Sequence, residues 1–314
     1  MILFASNRPL GRCENITAIW NAYRGAKEFT DLGVWRTSEQ IRNGGYDILV
    51  TDEFPSQSKA PVIMVYHGLA AGKTYGLDQP HKYHTRRAAE LLTWVITSSR
   101  DAIPIAAKQC GVPKERVKAL GMPRTDAYIG KHKGDGKSGL PMDKRIYLYA
   151  PTFRNEHEPE APEIDYEMID RLLKDNELLV LKHHMVTGTQ DIGQYKHIIQ
   201  APPSAPTTPY LIDCDVLITD YSSIMSDAHL LGKPVVLFEK DAEEYMKARG
   251  MYRAYPQGYA ARHVTDEKDL VRVMRVAKKQ MQADIQCKWE TAGACDGHST
   301  ERVIKLIGEM LSGY

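Results

Sequence analysis

Long apolar runs are missing from this chain. No stretch approaches the ~18 consecutive apolar residues that a membrane-crossing helix needs, so a spanning protein is not expected. Cysteine is scarce: Cys13, Cys110, Cys214, Cys287 and Cys295 make an odd number with no CxxC pair. That argues against a disulfide framework or a zinc ribbon and fits reduced thiols in a cytoplasmic protein. Neither sign of charge is in excess. Against 41 basic residues stand 40 acidic ones, a net charge of +1, so no overall field points to a nucleic-acid partner. HExxH and EF-hand patterns are absent, and no metal is expected. Gly68 to Thr74 (GLAAGKT) has three residues between its glycines where a Walker phosphate loop has four, which excludes that class of ATPase. The N-terminus, MILFASNRPLGR, lacks a basic lead and a long apolar core, so a secretory leader is not expected. Internal repeats and low-complexity segments are also missing.

What is present is alternation. The 314 residues, 43% of them hydrophobic, suffice for two domains with sizeable cores. Short apolar runs at residues 2–5, 46–51, 61–66, 94–97 and 117–120 read as strands, with helical spacing between several of them, as at Ile16, Ile19, Trp20 and Tyr23. Residues 131–143 (KHKGDGKSGLPMD) are polar and glycine-rich and read as a linker. The pattern then restarts, with strands at 146–149, 178–181 and 198–199 and helices at 166–176, 271–281 and 299–311. Strands alternating with helices predict parallel sheets. The expectation is α/β: two Rossmann-like domains facing a central cleft, residues 1–137 and 138–314.

The organising stretch is 211–238, LIDCDVLITDYSSIMSDAHLLGKPVVLF. It reads as strand, polar turn, helix, turn and strand. A strand that enters a helix through Ser222-Ser223 leaves backbone N–H groups and two hydroxyls at the helix start. Two uses stay open there: an anion site, or simple capping by Asp220 and the serines. Ligands of open parallel sheets collect at the C-terminal ends of strands. His67, Arg124, Arg154, Lys182, His183, His184, Asp220, Ser222 and Ser223 all fall at such ends. Arginine forks and lysine charges suit phosphates, and a histidine can take a proton near neutral pH. The plainer reading of Arg124 and Arg154 is surface ion pairing, and that of residues 182–184 is a solvated strand end.

The ordered motifs resemble the CDP-glycerol glycerophosphotransferase family, the primases and polymerases of bacterial teichoic acid synthesis. They are Tyr66-His67-Gly68 with Lys73, residues 121–126 (GMPRTD), residues 149–154 (YAPTFR) and residues 219–223 (TDYSS). Asp227, Lys233-Pro234, Asp241, Tyr245, Arg249-Gly250, Tyr252, Asp296-Gly297 and Glu301-Arg302 follow. The order holds over nearly the whole chain. Residues 70–72 (AAG) depart from the proline and second lysine common in the family, and Met185 replaces its usual proline after the histidine.

The resemblance implies a GT-B fold whose last helix, 299–311, crosses back onto the N-terminal domain. It implies transfer of glycerol phosphate from CDP-glycerol to a hydroxyl on a polymer, with release of CMP and no cofactor. His67 would be the base. The second family histidine maps to His184, with His183 as the alternative. Arg124, Arg154, Lys182, Asp220, Ser222 and Ser223 would form the donor site. Partners would be the CDP-alcohol and a polyol-phosphate, glycan or lipid-linked acceptor, with peripheral contact at the inner face of the cell membrane. CDP-ribitol, a nucleotide sugar, or a non-catalytic nucleotide-binding role are the alternatives.

Overall fold

A computed structural model of the chain describes residues 1–32, 37–65, 89–152, 154, 164–183, 193–248, 250, 261–277 and 292–313. The chain divides into two compact units, Met1–Ile129 with Trp289–Tyr314, and Gly130–Lys288.

The first unit is built on six parallel strands: β1 (Ile2–Ser6), β2 (Lys27–Asp31), β3 (Ile48–Thr51), β4 (Val62–Val65), β5 (Leu92–Thr97) and β6 (Val117–Ala119). Their spatial order is β2-β1-β3-β4-β5-β6. β3 (ILVT) and β4 (VIMV) are buried at every position, as central strands of a sheet covered on both faces must be. One face carries Ile2, Phe4, Ile48, Val50, Ile63, Val65 and Ile96. Helix Glu14–Ala22 covers it with Ile16 and Ile19, and helix Ser299–Leu311 with Val303, Leu306 and Ile307. The three- and four-residue spacings put each set on one side of its helix. The last helix therefore belongs to the first unit's core.

Two side chains fix that return. The Asp126 carboxylate accepts the first helical N–H groups, from Ser299 at 3.1 Å and Thr300 at 2.7 Å. Arg302 donates to the Leu120 carbonyl at 2.8 Å and pairs with Asp296 at 2.8 Å. Gly121 is needed beside them. Its φ is +86°, and a Cβ there would lie 2.3 Å from both the Ala294 carbonyl oxygen and Ser299 Oγ.

The second unit has strands β7 (Arg145–Tyr149), β8 (Glu177–Leu181), β9 (Ile198–Gln200), β10 (Val216–Thr219), β11 (Val235–Phe238) and β12 (Arg262–Val264). They are all parallel and run β12-β11-β10-β7-β8-β9. Tyr147, Tyr149, Leu179, Leu181, Ile218 and Val236 face helices Tyr166–Leu172 and Glu267–Val276. Ile146, Leu148, Val180, Leu217 and Leu237 face the opposite way, towards helices Thr208–Asp213 and Ile224–Leu230. Each sheet has one place where the strand order reverses. These switch points lie between β1 and β3, and between β7 and β10.

The glycine-rich segment is no slack linker. The Asp213 carboxylate accepts N–H bonds from Gly134, Gly136 and Ser138, each at 2.9 Å, and the Ser138 hydroxyl at 2.5 Å. Lys133 adds a 2.7 Å pair with Asp215. One glycine serves close backbone approach: a Cβ on Gly136 would meet the Pro209 carbonyl oxygen at 2.2 Å. Composition predicts flexibility here because it cannot register a distant carboxylate that collects three amides.

Other differences concern polar ends and edges. β2 (KEFTD) and β12 (RHV) were not expected as strands. Each pairs on one side only, so neither carries the apolar run of a central strand. The helix expected from residue 271 begins at Glu267, where the Asp266 side chain caps it by accepting from the Asp269 N–H. The helix beginning at Tyr166 ends at Leu172, four residues before the expected end. The Glu177 carboxylate takes the Lys174 N–H at 2.9 Å and turns the chain into β8.

Candidate functional site at the switch point of the second sheet

β7 ends at Tyr149 and β10 at Thr219, side by side in the sheet. The chain leaving β10 makes the turn Asp220-Tyr221-Ser222-Ser223 before helix Ile224–Leu230. Asp220 is buried, and one carboxylate oxygen accepts the Thr152 N–H at 2.7 Å and the Tyr221 N–H at 2.6 Å. A single carboxylate thus ties the exit of β7 to the exit of β10. The Thr219 hydroxyl adds a bond to the Ala150 carbonyl at 2.7 Å.

Arg154 completes the tie. Its Nη2 lies 3.0 Å from Asp220 and 3.1 Å from Asp241, its Nε donates to Asp241 at 3.2 Å, and its Nη1 to the Thr152 carbonyl at 2.6 Å. The side chain is only 7% exposed. Asp241, which follows β11, also accepts the Tyr221 hydroxyl at 2.8 Å. The Tyr221 and Tyr245 rings stack with centroids 3.7 Å apart, and the guanidinium carbon lies 5.2 and 5.0 Å from their centres. Burial alone would make the Arg154 cation less favourable, but the two carboxylates outweigh it and its pKa is raised. Burial and the Asp241 carboxylate push the Tyr221 phenol far above its ordinary range, so it remains a donor.

Ser222 and Ser223 are half-buried at the end of this turn. Ser223 makes no side-chain cap bond, and the Ser222 hydroxyl is 3.4 Å from the Ile224 N–H. Capping therefore does not account for the Ser223 hydroxyl. Beyond β8, the buried Lys182 ammonium bonds, among the described residues, only to the carbonyls of His183 and Pro203, each at 3.2 Å. Its backbone N–H reaches the Tyr149 carbonyl at 2.8 Å, which sets it beside the switch point. Burial lowers the Lys182 pKa, and burial and then the Lys182 charge lower that of His183, whose Nε2 is enclosed without a hydrogen-bond partner among the described residues.

Arg154, Asp220, Ser222 and Ser223 are thus brought together, with Lys182 at the neighbouring strand end. Arg124 lies in the first unit, 3.3 Å from the Tyr128 hydroxyl and 3.9 Å from Glu14, with its N–H on Asn15. His67 and His184 lie outside the described residues. The joint role of Tyr221, Asp241 and Tyr245 in one node was not foreseen, although all three stand within the motifs. A buried Glu239 held 2.6 Å from His263 was missed altogether. Burial raises its pKa, the His263 contact opposes this, and the charges of Asp220 and Asp241 add to the rise. Its signal was its place directly after β11. The buried Asp52 and Glu53, directly after β3 at the first switch point, were passed over in the same way.

Residues 40–309 match the sequence pattern of the CDP-Glycerol:Poly(glycerophosphate) glycerophosphotransferase family. The chain belongs to this family. The teichoic acid glycerol-phosphate primase of Bacillus subtilis is 24% identical over 276 residues, which cover 84% of this chain and 72% of that protein. The teichoic acid poly(ribitol-phosphate) polymerase of Bacillus spizizenii is 28% identical over 273 residues, covering 80% of this chain and 44% of that one. This family member therefore spans less than half the length of that polymerase. Among solved structures, the wall teichoic acid polymerase TagF superposes with a TM-score of 0.78 at 19% identity, covering 98% of this chain and 88% of that chain. The fold is GT-B, with two Rossmann-like units. A UDP-GlcNAc 2-epimerase from Neisseria meningitidis also superposes, with a TM-score of 0.59 at 11% identity over 98% of this chain and all (100%) of that one. The fold is thus shared with other chemistry, and the reaction has to be argued from the site.

Proposed function

We propose that this protein transfers glycerol phosphate from CDP-glycerol to a hydroxyl acceptor and releases CMP. The observation that carries the reading is the tied turn Asp220–Ser223 at the second switch point, in a chain of this family. The acceptor oxygen attacks the phosphorus that bears the glycerol. The bond from that phosphorus to the bridging oxygen breaks, CMP leaves with the electron pair, and the acceptor proton passes to His67. Ser222, Ser223 and Lys182 hold the donor diphosphate with Arg124 and His184, and Arg154 and Asp220 complete the donor site. Negative charge built up at phosphorus favours this set of hydroxyls and cations. No cofactor or metal takes part in the scheme.

The acceptor is a polyol-phosphate, glycan or lipid-linked hydroxyl, met by peripheral contact at the inner face of the membrane. No helix among the described residues is long and apolar enough to cross a membrane. CDP-ribitol is the second reading, favoured by similarity to a ribitol-phosphate polymerase. Purified protein mixed with an acceptor and CDP-glycerol or CDP-ribitol separates the two by CMP release. His67→Ala is expected to lower single-turnover CMP release roughly 10²–10⁴-fold, the usual contribution of a positioned base, while leaving CDP affinity intact. Release of a nucleoside diphosphate from a nucleotide sugar, with no CMP from either CDP-alcohol, would refute the reading.

A further inference from the structure

We infer that Arg154 is a positioning residue: with Asp241 it clamps the Asp220–Ser223 turn, and it does not itself bind the phosphates of a nucleotide. The inference rests on the donor-site reading above but makes a separate claim about how that site is held.

The guanidinium is already committed. Its Nε and Nη2 face Asp241 at 3.2 and 3.1 Å, Nη2 also faces Asp220 at 3.0 Å, and Nη1 faces the Thr152 carbonyl at 2.6 Å. Two buried carboxylates surround one cation, so the node carries surplus negative charge. Glu239 lies close enough for its own ionisation to be opposed by Asp220 and Asp241. A diphosphate approaching Arg154 would meet repulsion from those carboxylates and would have to displace bonds formed in a dry environment. The node is instead well placed to fix geometry. Asp220 spends one oxygen on the Thr152 and Tyr221 N–H groups and the other on Arg154. Asp241 grips the same turn from the opposite side through the Tyr221 hydroxyl. The Tyr245 ring closes the stack against Tyr221. The two residues that follow Tyr221 are Ser222 and Ser223. Their hydroxyls sit on a turn whose conformation is set by a saturated ion-pair node, and a site so held loses little order when it binds.

The two roles predict opposite signs for one substitution. If Arg154 were a phosphate ligand, Asp241→Asn would free it and strengthen or preserve binding of CDP. As a clamp, Asp241→Asn and Arg154→Lys both weaken CDP binding, by at least about fivefold, and the double variant is no weaker than the weaker single one, because both act on one unit. Both substitutions are near-isosteric or charge-preserving, and Tyr221→Phe, which removes the hydroxyl bond to Asp241, serves should either fail to fold. Titration calorimetry with CDP reads the affinities. Hydrogen exchange at the Thr152 and Tyr221 amides, measured without ligand, reads the clamp directly. Faster exchange at both amides in both variants, with thermal unfolding showing an intact fold, is expected. Unchanged exchange, or unchanged or tighter CDP binding by Asp241→Asn, overturns the inference. If the unsubstituted protein binds no CDP, the functional reading falls, and the exchange rates still decide whether the clamp exists.

Discussion

Asp213→Asn tests whether residues 130–140 are anchored or free. In the native chain one carboxylate oxygen takes the Gly134 and Gly136 N–H groups and the other takes the Ser138 N–H and hydroxyl. The amide variant keeps an oxygen for two of these donors and sets an NH₂ group against the other two. Hydrogen bonds to a charged acceptor contribute roughly 1.5–3 kcal/mol each, but Ser138 regains water once released, so the lower end applies to the pair. The expected local loss is about 2–3 kcal/mol, which multiplies the open population about 30- to 160-fold. Lys131, Lys133, Lys137 and Lys144 offer trypsin sites in and beside this segment. Cleavage under limiting trypsin should accelerate by that factor, read by the appearance of two fragments. All four tryptophans, Trp20, Trp35, Trp94 and Trp289, belong to the first unit, so tryptophan emission serves as the internal control and far-UV circular dichroism reports the second unit as well. The sign with pH follows from the same bonds. Burial opposes ionisation, but the Ser138 hydroxyl and the three amides outweigh it and hold the Asp213 pKa below its ordinary value. The anchor is therefore fully present above about pH 4, the ordinary Asp range, and is lost as pH falls through the lowered native value. Equal trypsin susceptibility of the variant and native chains at neutral pH would refute the anchoring.

Lys182→Met removes a buried ammonium that has no carboxylate partner among the described residues. Thermal stability should hold or rise, since burying an unpaired charge is costly, while CDP affinity falls at least about tenfold; retained affinity would make Lys182 a structural strut. Glu177 is held at a pKa of about 2: burial opposes this, and the Arg275, Lys174 and Tyr147 hydrogen bonds outweigh it. Its contribution is complete above the ordinary Glu value of about 4.3 and fades as pH falls towards about 2. Glu177→Gln should flatten that part of the acid-unfolding curve and cost about 1–2 kcal/mol at pH 7, after allowance for the partly exposed Arg275. An unchanged acid profile would refute the assignment.

The sequence by itself determined the architecture of both units. Runs such as VLIT and VVLF are apolar at consecutive positions because central parallel strands are buried on both faces, and that pattern survives without any knowledge of neighbours. The turn Asp220–Ser223 was legible for the same reason, since strand, polar turn and helix follow one another along the chain. Edge strands β2 and β12 were not legible, because one-sided pairing relaxes the demand for apolar residues. Tertiary structure alone decided the partners. Arg154 meets Asp220 across 66 positions of chain and Asp241 across 87, and Asp213 meets Gly134 across 79. Ion pairs and shared acceptors of this kind leave no period in the sequence, because each partner looks like an ordinary polar residue at a strand or helix end. Only when the two strand exits lie side by side does a carboxylate that could have capped a helix become the tie between β7 and β10.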